Sequence, residues 1–386
     1  VLRGDTRSSR DALLSGKDIC IDDAELHAVV AACLGKAGCA EQHANLVAEV
    51  LIAADKRSVP SHGVNRTEHY CDEIEAGLVD GKATPTVQML DGGTCLIDGR
   101  NALGAVVSKF GMGKCIELAK ANGIGLVVCR RSNHFGIAGY WAATALREGL
   151  IGLSFTNTSP FMIPTRGTQR AVGTNPICCF CPGVNGESFQ LDMATTTVPV
   201  GKIEVMYRKQ QPLPLGWGVN ATGAMTTNPE HVLRGGGLTP VGGMENTAGY
   251  KGYGLGMLVE ILTSVLGGCV HIGPGVPKWT KTRGVEIDYG HCFICIDPRR
   301  FTPGFEERLS GYLDTMRLHP PSVAGSTVLV PGDPEKAEEQ GSIQRGVRLN
   351  VAVAASIRRL AARYAVPLPK VLQEVHSAKE VDHLMA

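Results

Sequence analysis

Gly249-Tyr250-Lys251-Gly252-Tyr253-Gly254-Leu255-Gly256 is the stretch on which the reading of the fold turns. Its glycines open an apolar run, Tyr253 to Leu266, that reads as a helix, and the unpaired N–H groups of a helix start suit a phosphate. The same glycines would equally serve close packing of that helix against a neighbour. What the stretch lacks is Gly-x-Gly-x-x-Gly, a spacing that occurs nowhere in the chain, and Gly-x-x-x-x-Gly-Lys-Ser/Thr is absent as well. A doubly wound parallel sheet is therefore disfavoured, while a dinucleotide held on another α/β frame stays open.

On the N-terminal side of this stretch, short strands alternate with helices. Thr94 to Gly99 is β-like, Ala105 to Ala121 reads as a helix, Ile124 to Cys129 as a buried strand, Ala138 to Glu148 as a helix and Ile151 to Phe155 as a strand. Polar clusters follow two of these strands, Arg131-Ser132-Asn133-His134-Phe135-Gly136 and Thr156-Asn157-Thr158-Ser159-Pro160, where mixed folds put ligands. The N-terminal third is helical instead. Asp22 and Glu25 form a capping box ahead of Leu26, Val29, Val30, Cys33 and Leu34, a run stopped at Gly35; Leu46, Val47, Val50, Leu51 and Ala54 form a second run ended by Pro60. From Phe305 the chain turns helical again, with a loop at Pro331-Gly332-Asp333-Pro334-Glu335 and a last helix from about Gln344. The predicted class is α/β: a mixed α/β lobe, residues 84–304, inserted in a mainly helical lobe made by residues 18–83 plus 305–386.

Lys and Arg total 38 against 37 for Asp and Glu, so no general field favours nucleic acid or an acidic membrane. No apolar run approaches the ~20 residues of a membrane span, and Val1 to Cys20 has no signal-like apolar core, so the expectation is a soluble, cytoplasmic protein. Val1 in place of Met leaves room for a lost leader or initiator. The 13 cysteines fall mostly in apolar stretches and read as reduced core residues. Cys178 with Cys181 and Cys292 with Cys295 have the Cys-x-x-Cys spacing, but in strands, where residues three apart face opposite sides. No metal site is expected from them, and a thiol-based redox protein is a lesser reading. No His-Glu-x-x-His or Gly-x-Ser-x-Gly appears.

Ser61-His62-Gly63-Val64-Asn65-Arg66 packs a titratable imidazole, small polar groups and a fixed cation into one turn past a helix end. Histidine can exchange a proton near neutrality, and arginine can grip a carboxylate with paired hydrogen bonds. Ser61 and Tyr70 are candidate hydrogen-bond donors to a substrate, although a tyrosine at that spacing also serves packing. A histidine at a helix end also has a structural reading.

Taken in order, these pieces resemble the malate/L-lactate dehydrogenase family of the non-Rossmann type. The resemblance is carried by Ala54-Asp55-Lys56-Arg57 leading to Ser61-His62-Gly63-Val64, Ser132-Asn133-His134-Phe135-Gly136, Thr156 to Pro160, Gly173-Thr174-Asn175-Pro176-Ile177 and Asp192-Met193-Ala194-Thr195. It continues through Gly201-Lys202-Ile203-Glu204, Gly216-Trp217, Gly249 to Leu255, Gly290-His291 and Pro331 to Glu335. It implies a homodimer with active sites near lobe and subunit boundaries, NAD or NADP as cofactor, and a small 2-oxo or 2-hydroxy acid as substrate, malate/oxaloacetate before lactate/pyruvate. A ureidoglycolate-type or cyclic-imine substrate is the alternative, and a non-catalytic dinucleotide-binding protein a lesser one. By resemblance His62 or His134 exchanges the proton and Arg66 holds the carboxylate. Thr158, Asp192, Met193, Ala194, Lys251, Gly252, Gly332 and Asp333 would contact the dinucleotide, with Arg166, Arg170 and Arg208 as cations for a 2′-phosphate. Two segments depart from the family: Ser58-Val59-Pro60 follows Arg57 where a glycine is common, and Lys278 to Gly284 matches poorly.

Overall fold

A computed structural model describes residues 18–208, 210–279 and 285–373; of the expectations above, the Arg208 side chain, residues 280–284 of the poorly matching segment and most of Val1 to Cys20 lie outside the described residues. The chain forms two compact units, Val1–Lys82 with Asp333–Ala386, and Ala83–Gly332.

The first unit is mainly helical. Asp22 starts α1 (Asp23–Lys36), its Oδ1 accepting from the Ala24 and Glu25 amides, and the predicted apolar stripe is buried. Gly35 lies within that helix, which runs one residue further than the sequence suggested. α2 (Glu41–Lys56) ends before Pro60, and Ser58 takes a left-handed φ of 60°. Two 3-10 turns, Pro60–His62 and Val64–Arg66, lead into α3 (Thr67–Glu75). Two segments far apart in sequence meet here: β1 (Ile19–Ile21) pairs antiparallel with β11 (Val347–Leu349). The C-terminal part adds α10 (Asp333–Arg345) and α11 (Val351–Arg363), tied back by Arg57 to Glu339 at 2.8 Å and Arg363 to Asp72 at 2.6 Å. Gln344 thus closes α10 rather than opening the last long helix, because the β11 strand intervenes.

The second unit carries a seven-stranded sheet in the order β2-β3-β4-β10-β5-β6-β7. Its strands are β2 (Thr86–Asp91), β3 (Thr94–Asp98), β4 (Ile124–Ser132), β5 (Ile151–Thr156), β6 (Ile177–Pro182), β7 (Ser188–Met193) and β10 (Tyr289–Ile296). Only β3 and β4 run parallel; every other neighbouring pair is antiparallel. This mixed sheet has no doubly wound nucleotide crevice, as the missing glycine spacing indicated. α4 (Gly104–Asn122) approaches one face closely, since a methyl at Gly111 would meet Cys129 and Phe293 at 2.8–2.9 Å; α5 (Ala138–Leu146) packs beside it. α8 (Gly249–Glu260), continued by a π-helical turn at Ile261–Val265, lies over the other face, with Val259 packed on Val128, Phe155 and Cys292. A smaller cluster surrounds α6 (Val200–Arg208), α7 (Pro229–Leu233) and the pair β8 (Gly218–Val219) and β9 (Gly237–Leu238).

The boundary differs from the one expected at residue 305. α9 (Phe305–Arg317) belongs to the α/β unit, because the Ser310 hydroxyl accepts from the Val184 amide and Arg317 pairs with Glu187 at 3.0 Å. Helical texture alone does not say which core a helix joins.

Candidate active site

The turn after α2 is built around a buried carboxyl group. Asp55 Oδ2 accepts from the Val64 amide at 2.8 Å, and Gly63 fits because it has no side chain: a methyl there would lie 2.0–2.3 Å from that carboxyl group. Burial pushes Asp55 up to about 7. Above this support, Ser61 Oγ meets His62 Nδ1 at 2.8 Å, and Arg66 Nε donates to the Ser61 carbonyl at 2.7 Å. Ser61 therefore links imidazole and guanidinium. Desolvation, with the Arg66 charge beside it, lowers His62 to about 4, so the ring is neutral at pH 7. Tyr70 lies in α3 and is 4% exposed. Asp333 opens α10 and pairs with Lys336 at 3.5 Å. Asp55 was not singled out as a site residue; its signal was a charge within the apolar stripe of Leu51 and Ala54.

In the α/β unit a connected path joins three of the segments expected to meet the dinucleotide. Thr158 Oγ1 accepts from the Thr174 amide at 2.9 Å, Thr195 donates its amide to the Thr174 carbonyl at 2.9 Å, and Val241 donates to the Thr195 carbonyl at 2.9 Å. Gly252, at the entrance of α8, abuts Val241 so closely that a methyl would meet its backbone at 2.3 Å. Thr158, Ala194 beside Thr195, and Lys251-Gly252 thus share one framework. Asp192 Oδ2 accepts from the Gly139 amide at 2.7 Å at the start of α5, and Met193 ends β7 half-buried. Gly332, with φ of 100°, presses on Gln190 of the same strand. Arg170 donates to the carbonyls of Val232, Leu233 and Gly236 and stacks on Phe161, while Arg166 pairs with Glu245 at the surface. Those bonds give Arg170 a structural task.

His134 follows β4, stacked on Trp279 with centroids 4.3 Å apart, and its Nδ1 accepts from the Gly136 amide at 3.4 Å. Beneath that loop, fully buried His291 is held between Ser132 Oγ at 2.6 Å and Thr156 Oγ1 at 2.9 Å, and burial pushes it down to about 3. Glu260 is a second hub the sequence reading missed. Its buried carboxyl accepts from Asn157 at 3.3 Å, Asn175 at 2.9 Å and the Gly273 amide at 2.8 Å, and Asn175 is held at φ 31°. Among the described residues, no group of three or more His, Cys, Asp and Glu side chains could hold a metal ion.

Compared with known proteins, the chain falls among the dehydrogenases, here on a sheet unlike the parallel Rossmann sheet. A family model described as malate/L-lactate dehydrogenase matches residues 21–358, and the chain belongs to that family. It is 41% identical to a malate dehydrogenase of Pyrococcus abyssi over 308 residues, 77% of this chain and 82% of that one. Identity to an NAD(+) ureidoglycolate dehydrogenase of Escherichia coli is 31%, covering 84% of this chain and 90% of the relative. Among solved structures, a malate dehydrogenase from Entamoeba histolytica superposes with a TM-score of 0.87 at 30% identity, covering 92% of this chain and 100% of that one.

Proposed function

We propose that this dehydrogenase interconverts a small 2-hydroxy acid and its 2-oxo acid with NAD or NADP, with malate and oxaloacetate as the first pair and lactate and pyruvate as the next. The observation that carries the proposal is the Ser61-His62-Arg66 arrangement, a neutral imidazole and a fixed guanidinium organised by one serine. The dinucleotide fits the α/β unit through the Thr158 hydroxyl and the cation of Lys251, which stands in the first turn of the 12-residue helix that begins at Gly249; these suit ribose and phosphate. When bound, it supplies or accepts the hydride at C4 of the nicotinamide. His62 takes the hydroxyl proton during oxidation and returns one to the forming alkoxide during reduction. Arg66 holds the substrate carboxylate, and Ser61 keeps the imidazole oriented. His134 is the alternative proton carrier.

The proposal extends to a homodimer in the cytoplasm. α8 and its π-helical turn leave Leu258 (45%), Ile261 (50%), Val265 (50%) and Leu266 (54%) exposed, an apolar stripe that suits a second copy. All 13 cysteines are free thiols, in keeping with a reducing compartment. No helix among the described residues is long and apolar enough to cross a membrane.

Loss of reduced-nicotinamide absorbance on adding oxaloacetate, pyruvate and related oxo acids or cyclic imines, with NADH and NADPH tried separately, tests the reading. Inactivity across that panel despite measurable dinucleotide binding would overturn it. His62→Gln should lower turnover by about 10²–10⁴-fold with little change in dinucleotide affinity. Turnover surviving within about twofold would transfer the role to His134.

A further inference from the structure

The two Cys-x-x-Cys spacings point their thiols to opposite sides of their strands, but a Cys-x-Cys pair is nested within the first. Cys179 and Cys181 occupy alternate positions of β6, so both leave the same face of the sheet, and their Sγ atoms lie 3.8 Å apart. Both are half-buried, whereas Cys178 and Phe180, on the opposite face, are fully buried. The hydrogen-bonded pair Cys115 and Cys295 is sealed in the core. Cys179 and Cys181 therefore combine proximity with access.

We propose that Cys179 and Cys181 form a thiol–disulfide exchange site that reacts with a low-molecular-weight disulfide and closes to an intrachain disulfide. The Cys179 thiolate attacks one sulfur of the small disulfide; its S–S bond breaks, and the departing thiolate takes up a proton. Cys181 then loses its proton and attacks the Cys179 sulfur of the mixed disulfide, releasing the second small thiol. Two electrons leave the cysteine pair, and one small disulfide becomes two thiols. The order of attack follows the contact: the Cys181 thiol beside it holds Cys179 below its ordinary value, while the same contact, with burial, raises Cys181. Alternate Cα atoms of an extended strand are ~6.6 Å apart, near the long end of the ~4.4–6.8 Å that a disulfide spans, so the closed form is strained and returns to dithiol under mild reductant.

The test needs no substrate and stands apart from the dehydrogenase reading. The full chain is incubated with oxidised glutathione, alkylated and examined by peptide mass spectrometry. The expected result is a peptide spanning Ile177 to Pro182 that has lost two hydrogens and escapes alkylation at both cysteines. Cys181→Ser should instead trap glutathione on Cys179, and Cys179→Ser should leave Cys181 open to alkylation. Alkylation of both residues in the treated wild type, glutathione on each, or bonding of either to another cysteine would overturn the proposal.

Discussion

At position 63 a hydrogen atom decides whether the His62 turn can form. Gly63→Ala would drive a methyl into the Asp55 carboxyl group, and we expect a loss of ~1–3 kcal/mol in urea unfolding together with reduced turnover. A neutral substitution in both readouts would mean that the turn relaxes freely. Asp55 and His62 also make opposite contributions to stability against pH. Asp55, raised to about 7 in the fold, keeps its proton there when the unfolded chain has lost it, so its contribution falls as pH rises from about 4 to 7. His62, lowered to about 4, sheds its proton in the fold while the unfolded chain still binds one, so its contribution rises with pH up to about 6.5. The two nearly cancel between about pH 4 and 6.5. Asp55→Asn should expose a stability that climbs over this window, and His62→Gln one that declines through about pH 7. Unfolding curves with the wild-type pH slope in both variants would show that neither group is shifted.

At the scale of elements, α8 shows how burial and ligand geometry meet. Glu260 gathers Asn157 after β5, Asn175 before β6 and Gly273 through one carboxyl group. Glu260→Ala leaves those donors buried without this acceptor, and should cost at least ~2 kcal/mol, a fall in Tm of ~4 °C or more. It should also raise the KM for the dinucleotide more than it lowers kcat, because Asn175 Oδ1 accepts from the Thr158 amide at 3.0 Å. Steady-state kinetics with the dinucleotide varied will separate that from a general loss of active enzyme. The long helices were legible because Leu26, Val29, Val30, Cys33 and Leu34 repeat with the helical period and are buried. The motif turns at Ser61, Asn133 and Thr158 were also legible as segments. Their supports were not: Glu260 gathers Asn157 and Asn175 from 103 and 85 residues away, and His291 bonds Ser132 and Thr156 from 159 and 135 residues away, which local spacing does not encode. The attachment of α9 was hidden for the same reason, since it rests on Ser310 and Arg317 meeting a distant turn.

For the whole molecule, the exposed stripe on α8 carries the expectation about assembly. Analytical ultracentrifugation should find a species near twice the 40.9 kDa chain mass, and Leu258→Arg should shift it to the monomer. A wild-type monomer at micromolar concentration would remove the homodimer. The β1–β11 ladder has a further consequence, for the order of events during synthesis. Ile19 pairs with Leu349, so the helical unit cannot complete itself until Leu349 has left the ribosome, whereas Ala83–Gly332 is continuous and available earlier. Closing so long a loop from an unfolded chain would be slow, but an insert that has already collapsed shortens the path between its ends. The N-terminal helices α1 and α3 must then wait for α11, which packs against both, and this interval is the one in which a nascent chain most needs a chaperone.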